Sequence, residues 1–294
     1  MKRMTTVLRE LINGPGVFPA PGVYDPITAR IAEQVGFKAL DLPGSALGYA
    51  TCMMEPNLSL EDMADATRKI TSTVNIPIIV DVGAGFGEPA HVLHTVRLLE
   101  HAGAAGIHIE DQIYPKRFHY HRGLEHIIPA EAMLDKVRCA LEARRDPDFV
   151  IVARTDAIRT HGFAEGVRRA NLYLEAGAQM IMMFPKTGDE VRQLPKEVRG
   201  PINWTQTFRA DGGPPFFSLQ ELEALGGYKV INYAGGPMLA AYKAVKDMLT
   251  HLMNTGTPGM DPQLFTSIVR EVQESIGVLE YYRVEEETVE KTEA

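Results

Sequence analysis

The chain has 294 residues and a net charge of −8, with 45% hydrophobic and 23% charged residues, a composition that suits one large globular domain or two small ones. No apolar run reaches the roughly 18–20 residues of a membrane span. Arg9 and Glu10 interrupt any signal-like stretch at the start, and Cys52 and Cys139 stand in no zinc or redox spacing. The expectation is a cytoplasmic protein with no membrane partner and, lacking a basic run, no nucleic-acid partner.

Eight apolar, β-rich runs follow one another at 17–24, 37–42, 76–82, 105–111, 149–156, 179–185, 201–207 and 228–233. Their cores, such as IPIIVDV, FVIVARTD and AQMIMMF, are nearly continuous apolar runs, as expected of parallel strands covered on both faces. Amphipathic segments such as 89–102 and 163–176 separate most of them. Four junctions (EQVGFKAL, EHAGAAGI, LEAGAQMI, LEALGGYK) place Gly36, Gly103, Gly177 and Gly226 where a helix ends and a strand begins. Eight βα units predict an α/β fold, a (β/α)8 TIM-type barrel over residues 1–250. The rival is a doubly wound open sheet; the count of eight and the lack of a GxGxxG turn after the first strand disfavour it. Residues 251–294 read as a helical extension with an acidic tail, VEEETVEKTEA, expected to be solvated and frayed.

Chemistry in such a barrel sits where strands end. Those ends carry Asp41, Asp81, Glu110, Asp111, Arg154, Lys186, Asn203, Thr205 and Asn232. Strand alternation puts His108 and Glu110 on one face and Ile107 and Ile109 on the other. An acid on a strand buried on both faces needs a partner or a cation, so Asp81 and Glu110 are candidate ligands for Mg²⁺ (or Mn²⁺). The planar fork of Arg154 suits a substrate carboxylate, and Asn203 and Thr205 are further candidate substrate contacts. The loop from Tyr114 to Gly123 is dense in groups that move protons, among them His119, Tyr120 and His121.

The segments PGVYDPITARIAEQVGFKAL, PIIVDVGAGFG, AGIHIEDQIYPKR and FVIVARTDA together resemble the isocitrate lyase/phosphoenolpyruvate mutase superfamily over roughly residues 5–250. The resemblance implies a barrel whose last helix is exchanged with a neighbouring subunit, in a homotetrameric dimer of dimers. It also implies bound Mg²⁺, a small 2-oxo or 2-hydroxy carboxylate substrate and an enolate on the reaction path. Asp81 matches the metal-proximal aspartate and Glu110 the metal-shell glutamate. Arg154 matches the carboxylate-gripping arginine, and Gly44, Ser45 and Ala46 the turn that holds a carboxylate or oxyanion. Glu55 falls near the family's Pro-Asp loop.

Three departures stand out. Gly83 replaces a second metal-shell aspartate, Phe118 occupies the place of the catalytic cysteine, and Lys186 follows Pro185 where a glutamate is usual. His119 or His121 is expected to replace the thiol, with Tyr120 and Glu55 next in line. Lys186 is either an ion-pair partner for the acids or, in a metal-independent enzyme, the group that neutralises the enolate. The expected function is a carbon–carbon lyase acting on a small 2-hydroxy or 2-oxo di- or tricarboxylate through a metal-stabilised enolate, by cleavage or decarboxylation. The alternative is a non-catalytic or altered-activity carboxylate-binding member.

Overall fold

The computed structural model describes residues 2–207 and 213–290, with the backbone but not the side chain of His121. All eight strands form: β1 Phe18–Pro21, β2 Leu40–Leu42, β3 Ile78–Asp81, β4 Gly106–Glu110, β5 Val150–Thr155, β6 Met180–Met183, β7 Ile202–Thr205 and β8 Tyr228–Tyr233. Each lies inside a predicted run. The helices are α1 Met4–Asn13, α2 Pro26–Val35, α3 Gly44–Ala50, α4 Leu60–Thr71, α5 Pro89–His101, α6 Ala130–Ala143, α7 Ala157–His161, α8 Phe163–Glu175, α9 Gly188–Glu197, α10 Leu219–Leu225, α11 Gly236–Thr255, α12 Pro262–Ser275 and α13 Val278–Thr288. The four junction glycines all have positive φ.

Every strand pairing is parallel, in the order β1-β8-β7-β6-β5-β4-β3-β2. A parallel bridge between Gly22 and Asp41 joins the two ends, with the Val23 N–H donating to the Asp41 carbonyl at 2.9 Å. The sheet is thus the predicted (β/α)8 barrel. Outward side chains such as Ile78, Val80, Ile107, Ile109, Ile151 and Ala153 pack under the helices. Inward ones such as Ala20, Ile79, Val150, Val152, Met180 and Val230 form a second core, which Leu8 and Ile12 of α1 join.

Gly22 is fixed from its other side, by the chain leaving β8. A Cβ there would lie 2.2 Å from the carbonyl oxygen of Ala234 and 2.8 Å from its Cα, and backbone cannot step aside as a side chain can. Gly22→Ala should destabilise the barrel by about 1–3 kcal/mol. A melting temperature equal to that of the wild type would show that the backbone around Ala234 relaxes freely.

The chain divides into two compact units, Met1–Met238 and Leu239–Ala294, whereas sequence reading puts the break at 250. The reason is α11: its apolar residues read as the barrel's last helix, yet Leu239, Tyr242, Val245 and Leu249 are all exposed. In the second unit Asp261 caps α12, accepting from the N–H groups of Gln263 and Leu264. The acidic end is less frayed than expected, because α13 runs to Thr288; residues 291–294 lie outside the described part.

Candidate active site

The inward face of the barrel changes character along its axis. Below are the apolar side chains of the inner core; at the C-terminal ends the same alternation brings Asp41, Asp81, His108, Glu110, Arg154, Asn203 and Asn232 inward. Parallel register sets Asp81 beside His108 and Glu110 beside Arg154. Arg154 is the hub: its guanidinium lies 3.1 Å from Glu110 Oε2 and 3.1 Å from Asp156 Oδ2. Gln112 donates its side-chain N–H to the same Asp156 oxygen at 2.6 Å. Burial opposes the charge on Arg154, but Asp156 and Glu110 outweigh it and push its pKa well up.

Two loops bring the remaining groups. A 3-10 turn at Glu55–Asn57 carries Glu55. A Cβ on Gly44 would meet Glu55 Cγ at 2.8 Å, so only glycine lets the two approach. The loop after β4 carries Lys116, whose ammonium sits 2.5 Å from Glu55 Oε1 and 2.9 Å from Glu110 Oε1. The Tyr120 hydroxyl donates to the other Glu55 oxygen. Burial alone would raise the Glu55 pKa; the Lys116 charge and the hydrogen bonds from Lys116 and Tyr120 hold it below the usual value. Burial and the Glu55 charge push the Tyr120 phenol up, so it keeps its proton.

Elsewhere burial dominates. It raises Glu110 to about 7, against the pull of Arg154 and Lys116. It raises Asp81, aided by the Glu55 charge, and it raises Asp41 well above the usual carboxylate range, aided by Asp81. His108 is pushed down to about 3 by burial and by Arg154. The imidazole is therefore neutral, with Nε2 3.3 Å from the Asn203 amide nitrogen and Nδ1 3.6 Å from Asp41.

The structure therefore brings together Asp81, Glu110, Arg154, Glu55 and Tyr120, with Gly44 in the wall. A cavity of about 40 Å³ is lined by Gly44, Glu55, Asp81, Gly83 and Lys116, among others. Ser45 and Ala46 follow at the start of α3, where N–H groups have no helical acceptor. Asn203 faces His108 rather than the cavity. His119 is exposed on the outside of the loop, and the His121 side chain lies outside the described residues. Lys186 requires correction. It is exposed, and no ion pair joins it to Asp81 or Glu110 among the described residues. Lys116 is the ammonium that partners the buried acids. Sequence reading passed over Lys116 because its loop placement says nothing about direction. The signal for Asp41, His108 and Asn232 was their inward parity at strand ends.

Five carboxyl groups (Asp41, Glu55, Asp81, Glu110 and Asp156) here face Lys116 and Arg154 within the cluster, with Arg159 acting on Asp156 from its edge. Asp41 Oδ1 and both Glu110 oxygens lack hydrogen-bond partners, the two Glu110 ion pairs being close but not aligned for hydrogen bonding. This surplus of buried negative charge fits a divalent cation. Among the described residues no three His, Cys, Asp or Glu side chains form a ready-made ligand set. The fit is to an ion that takes one or two carboxylates and fills its shell with water and substrate oxygens, as Mg²⁺ does.

Comparison with known proteins agrees with this geometry. The family profile of phosphoenolpyruvate phosphomutase matches residues 8–253. The chain is 38% identical to a 2-methylisocitrate lyase of Aeropyrum pernix, over all of this chain and 94% of the relative. It is 34% identical to a 2,3-dimethylmalate lyase of Eubacterium barkeri, over 85% of this chain and 86% of that one. A phosphonopyruvate hydrolase solved with oxalate and Mg²⁺ superposes with a TM-score of 0.86 at 29% identity, covering 99% of this chain and 100% of the other. The chain belongs to the isocitrate lyase/phosphoenolpyruvate mutase superfamily. By that kinship it is an enzyme, a lyase of carbon–carbon bonds.

Proposed function

We propose that the enzyme cleaves a small 2-hydroxy di- or tricarboxylate, or decarboxylates an oxaloacetate-like acid, through an enolate, with Mg²⁺ (or Mn²⁺) held at Asp81 and Glu110. The observation that carries this reading is the meeting of Arg154, Lys116, Glu110, Glu55 and Tyr120 in one buried cluster above an apolar barrel core. Arg154, with the N–H groups of Gly44, Ser45 and Ala46, orients the carboxylate next to the hydroxyl-bearing carbon. Glu55, kept ionised by Lys116, accepts the hydroxyl proton. The carbon–carbon bond breaks, its electron pair goes to the departing carbon, and that carbon takes the Tyr120 proton. The Glu55–Tyr120 hydrogen bond then returns a proton to the phenol and restores both groups. Lys116 lends positive charge beside the reacting oxygens. What a divalent ion would supply there is electrostatic stabilisation of developing enolate charge.

A second part of the proposal concerns assembly. Leu239, Tyr242, Val245, Leu249, Phe265 and Ile268 form exposed apolar surface on α11 and α12, more than a lone soluble chain ordinarily leaves bare. A second copy of the chain covers it, in a dimer or a dimer of dimers.

The test is incubation with 2-methylisocitrate, 2,3-dimethylmalate and oxaloacetate, measuring 2-oxo acid and CO₂. Turnover of at least one is expected, lost on exhaustive chelation and restored by Mg²⁺ or Mn²⁺. No turnover of any sinks the lyase assignment of this site, and full activity in the chelated protein sinks the metal.

A further inference from the structure

The turn after β3, residues 83–87, has a backbone that needs outside support. Gly83, Gly85, Phe86 and Gly87 all have positive φ, with +59° at Phe86. Glycine adopts such angles at little cost, but a phenylalanine there is strained, and strain persists only where the surroundings hold it. Three donors from three elements do so. The Glu110 N–H of β4 donates to the Gly83 carbonyl at 2.9 Å. The Lys136 ammonium of α6 donates to the Ala84 carbonyl at 2.9 Å. The Thr95 hydroxyl of α5 shares its proton between the carbonyls of Gly85 and His91, 3.1 Å from each. Lys136 and Thr95 are both buried, and the reaction as read above uses neither. Burial pushes the Lys136 pKa down, against the pull of Glu88 and Glu110, and its hydrogen bond goes to a neutral carbonyl rather than a carboxylate. Burying a charge for one carbonyl is costly, so the place of that carbonyl matters. The turn also reaches the acid cluster. The Gly83 N–H donates to Asp81 Oδ1 at 2.9 Å, so residue 83 is bonded to the Asp81 carboxylate by its N–H and to the Glu110 backbone by its carbonyl.

We infer that Lys136 and Thr95 are positioning residues: they clamp the 83–87 turn, and the turn sets the carboxylates of Asp81 and Glu110 for a divalent cation. The inference rests on the metal reading above. Lys136 acts through Ala84, the residue next to Gly83. With the clamp gone, Phe86 is free to leave its strained angle, Gly83 turns with it, and Asp81 loses the donor that fixes its carboxylate. Gly83 has no side chain to anchor the turn from within, which leaves that work to donors from α5 and α6. The sign of the effect separates this role from a simple charge effect. Removing a cation whose field reaches Glu110 should tighten a bound metal, whereas losing the clamp weakens it.

The experiment compares the wild type, Lys136→Met and Thr95→Val in two measurements. The first is amide hydrogen exchange over residues 82–88 in metal-free protein. It should quicken about tenfold in Lys136→Met and about fivefold in Thr95→Val, the worth of one charged and one neutral hydrogen bond, with β5 and β6 unchanged. The second is Mn²⁺ affinity by paramagnetic resonance titration. It should weaken by roughly 10–100-fold in Lys136→Met, the usual span for a group that orients metal ligands, and about fivefold in Thr95→Val. Valine is nearly the shape of threonine, so Thr95→Val decides the matter if Lys136→Met fails to fold. Unchanged exchange at the turn in a folded variant overturns the clamp role of that residue. Faster exchange with equal or tighter Mn²⁺ binding overturns the link from the turn to the carboxylates. A wild type that binds no Mn²⁺ counts against the metal reading alone, and the exchange rates then decide whether the clamp exists.

Discussion

Lysine in place of Arg154 should lower kcat/KM by about 10²–10³-fold, the span seen when one aimed donor is lost, while the barrel still folds. The Arg154 guanidinium reaches Glu110 and Asp156 at once. A single ammonium cannot hold both and still grip a substrate carboxylate. Methionine is harsher, because it leaves Glu110 with Lys116 alone and takes from buried Asp156 its paired guanidinium, at about 3–5 kcal/mol. That loss depends on pH. Glu110 already sits at about 7, raised by burial and held down by Arg154. A carboxyl raised above its unfolded value keeps its proton longer when folded, so stability falls as pH rises through the window from about 4 to about 7. Without Arg154 the window extends upward. The melting temperature of Arg154→Met should therefore recover as the pH is lowered from about 8 to about 6. Wild-type kcat/KM in Arg154→Lys would make Arg154 a purely structural residue.

Tyr120→Phe should lower kcat by about 10²–10⁴-fold, as expected for a lost general acid, with little change in KM or melting temperature. His119→Gln should stay near the wild-type rate. The two residues are neighbours, but the phenol reaches inward to Glu55 while His119 lies exposed. The thiol that the family places two residues before Tyr120 is Phe118 here, and its side chain is also exposed. A pronounced loss in His119→Gln with normal turnover in Tyr120→Phe would return the proton donor to the histidine.

Much of this was legible in the sequence, for physical reasons. A strand buried on both faces needs a continuous apolar run, so all eight strands showed. Position at the C-terminal ends of the strands put Asp81, Glu110 and Arg154 on one rim, and alternation within β4 turned Glu110 to the face of His108. Parity fails once the chain leaves the sheet: β6 ends at Met183, and Lys186 lies in the turn before α9, where its residue number no longer tells direction. The contacts of Glu55 with Lys116 and Tyr120 join residues 61 and 65 positions apart across two loops. No local pattern encodes them. The division at Met238 and Leu239 has no such signal: the apolar residues of α11 promise burial, yet Leu239, Tyr242, Val245 and Leu249 are exposed among the described residues.

The bridge between Gly22 and Asp41 has a dynamic consequence. Seven junctions of the barrel are ladders of two or more residue pairs, one of them with a register shift, and the eighth rests on this bridge alone. Opening between β1 and β2 would break fewer ladder hydrogen bonds than opening at any other junction. Asp41 stands at that seam, and its buried Oδ1 is one of the carboxyl oxygens without a hydrogen-bond partner. A parting of the seam would be the shortest way for water to reach that oxygen and relieve its desolvation.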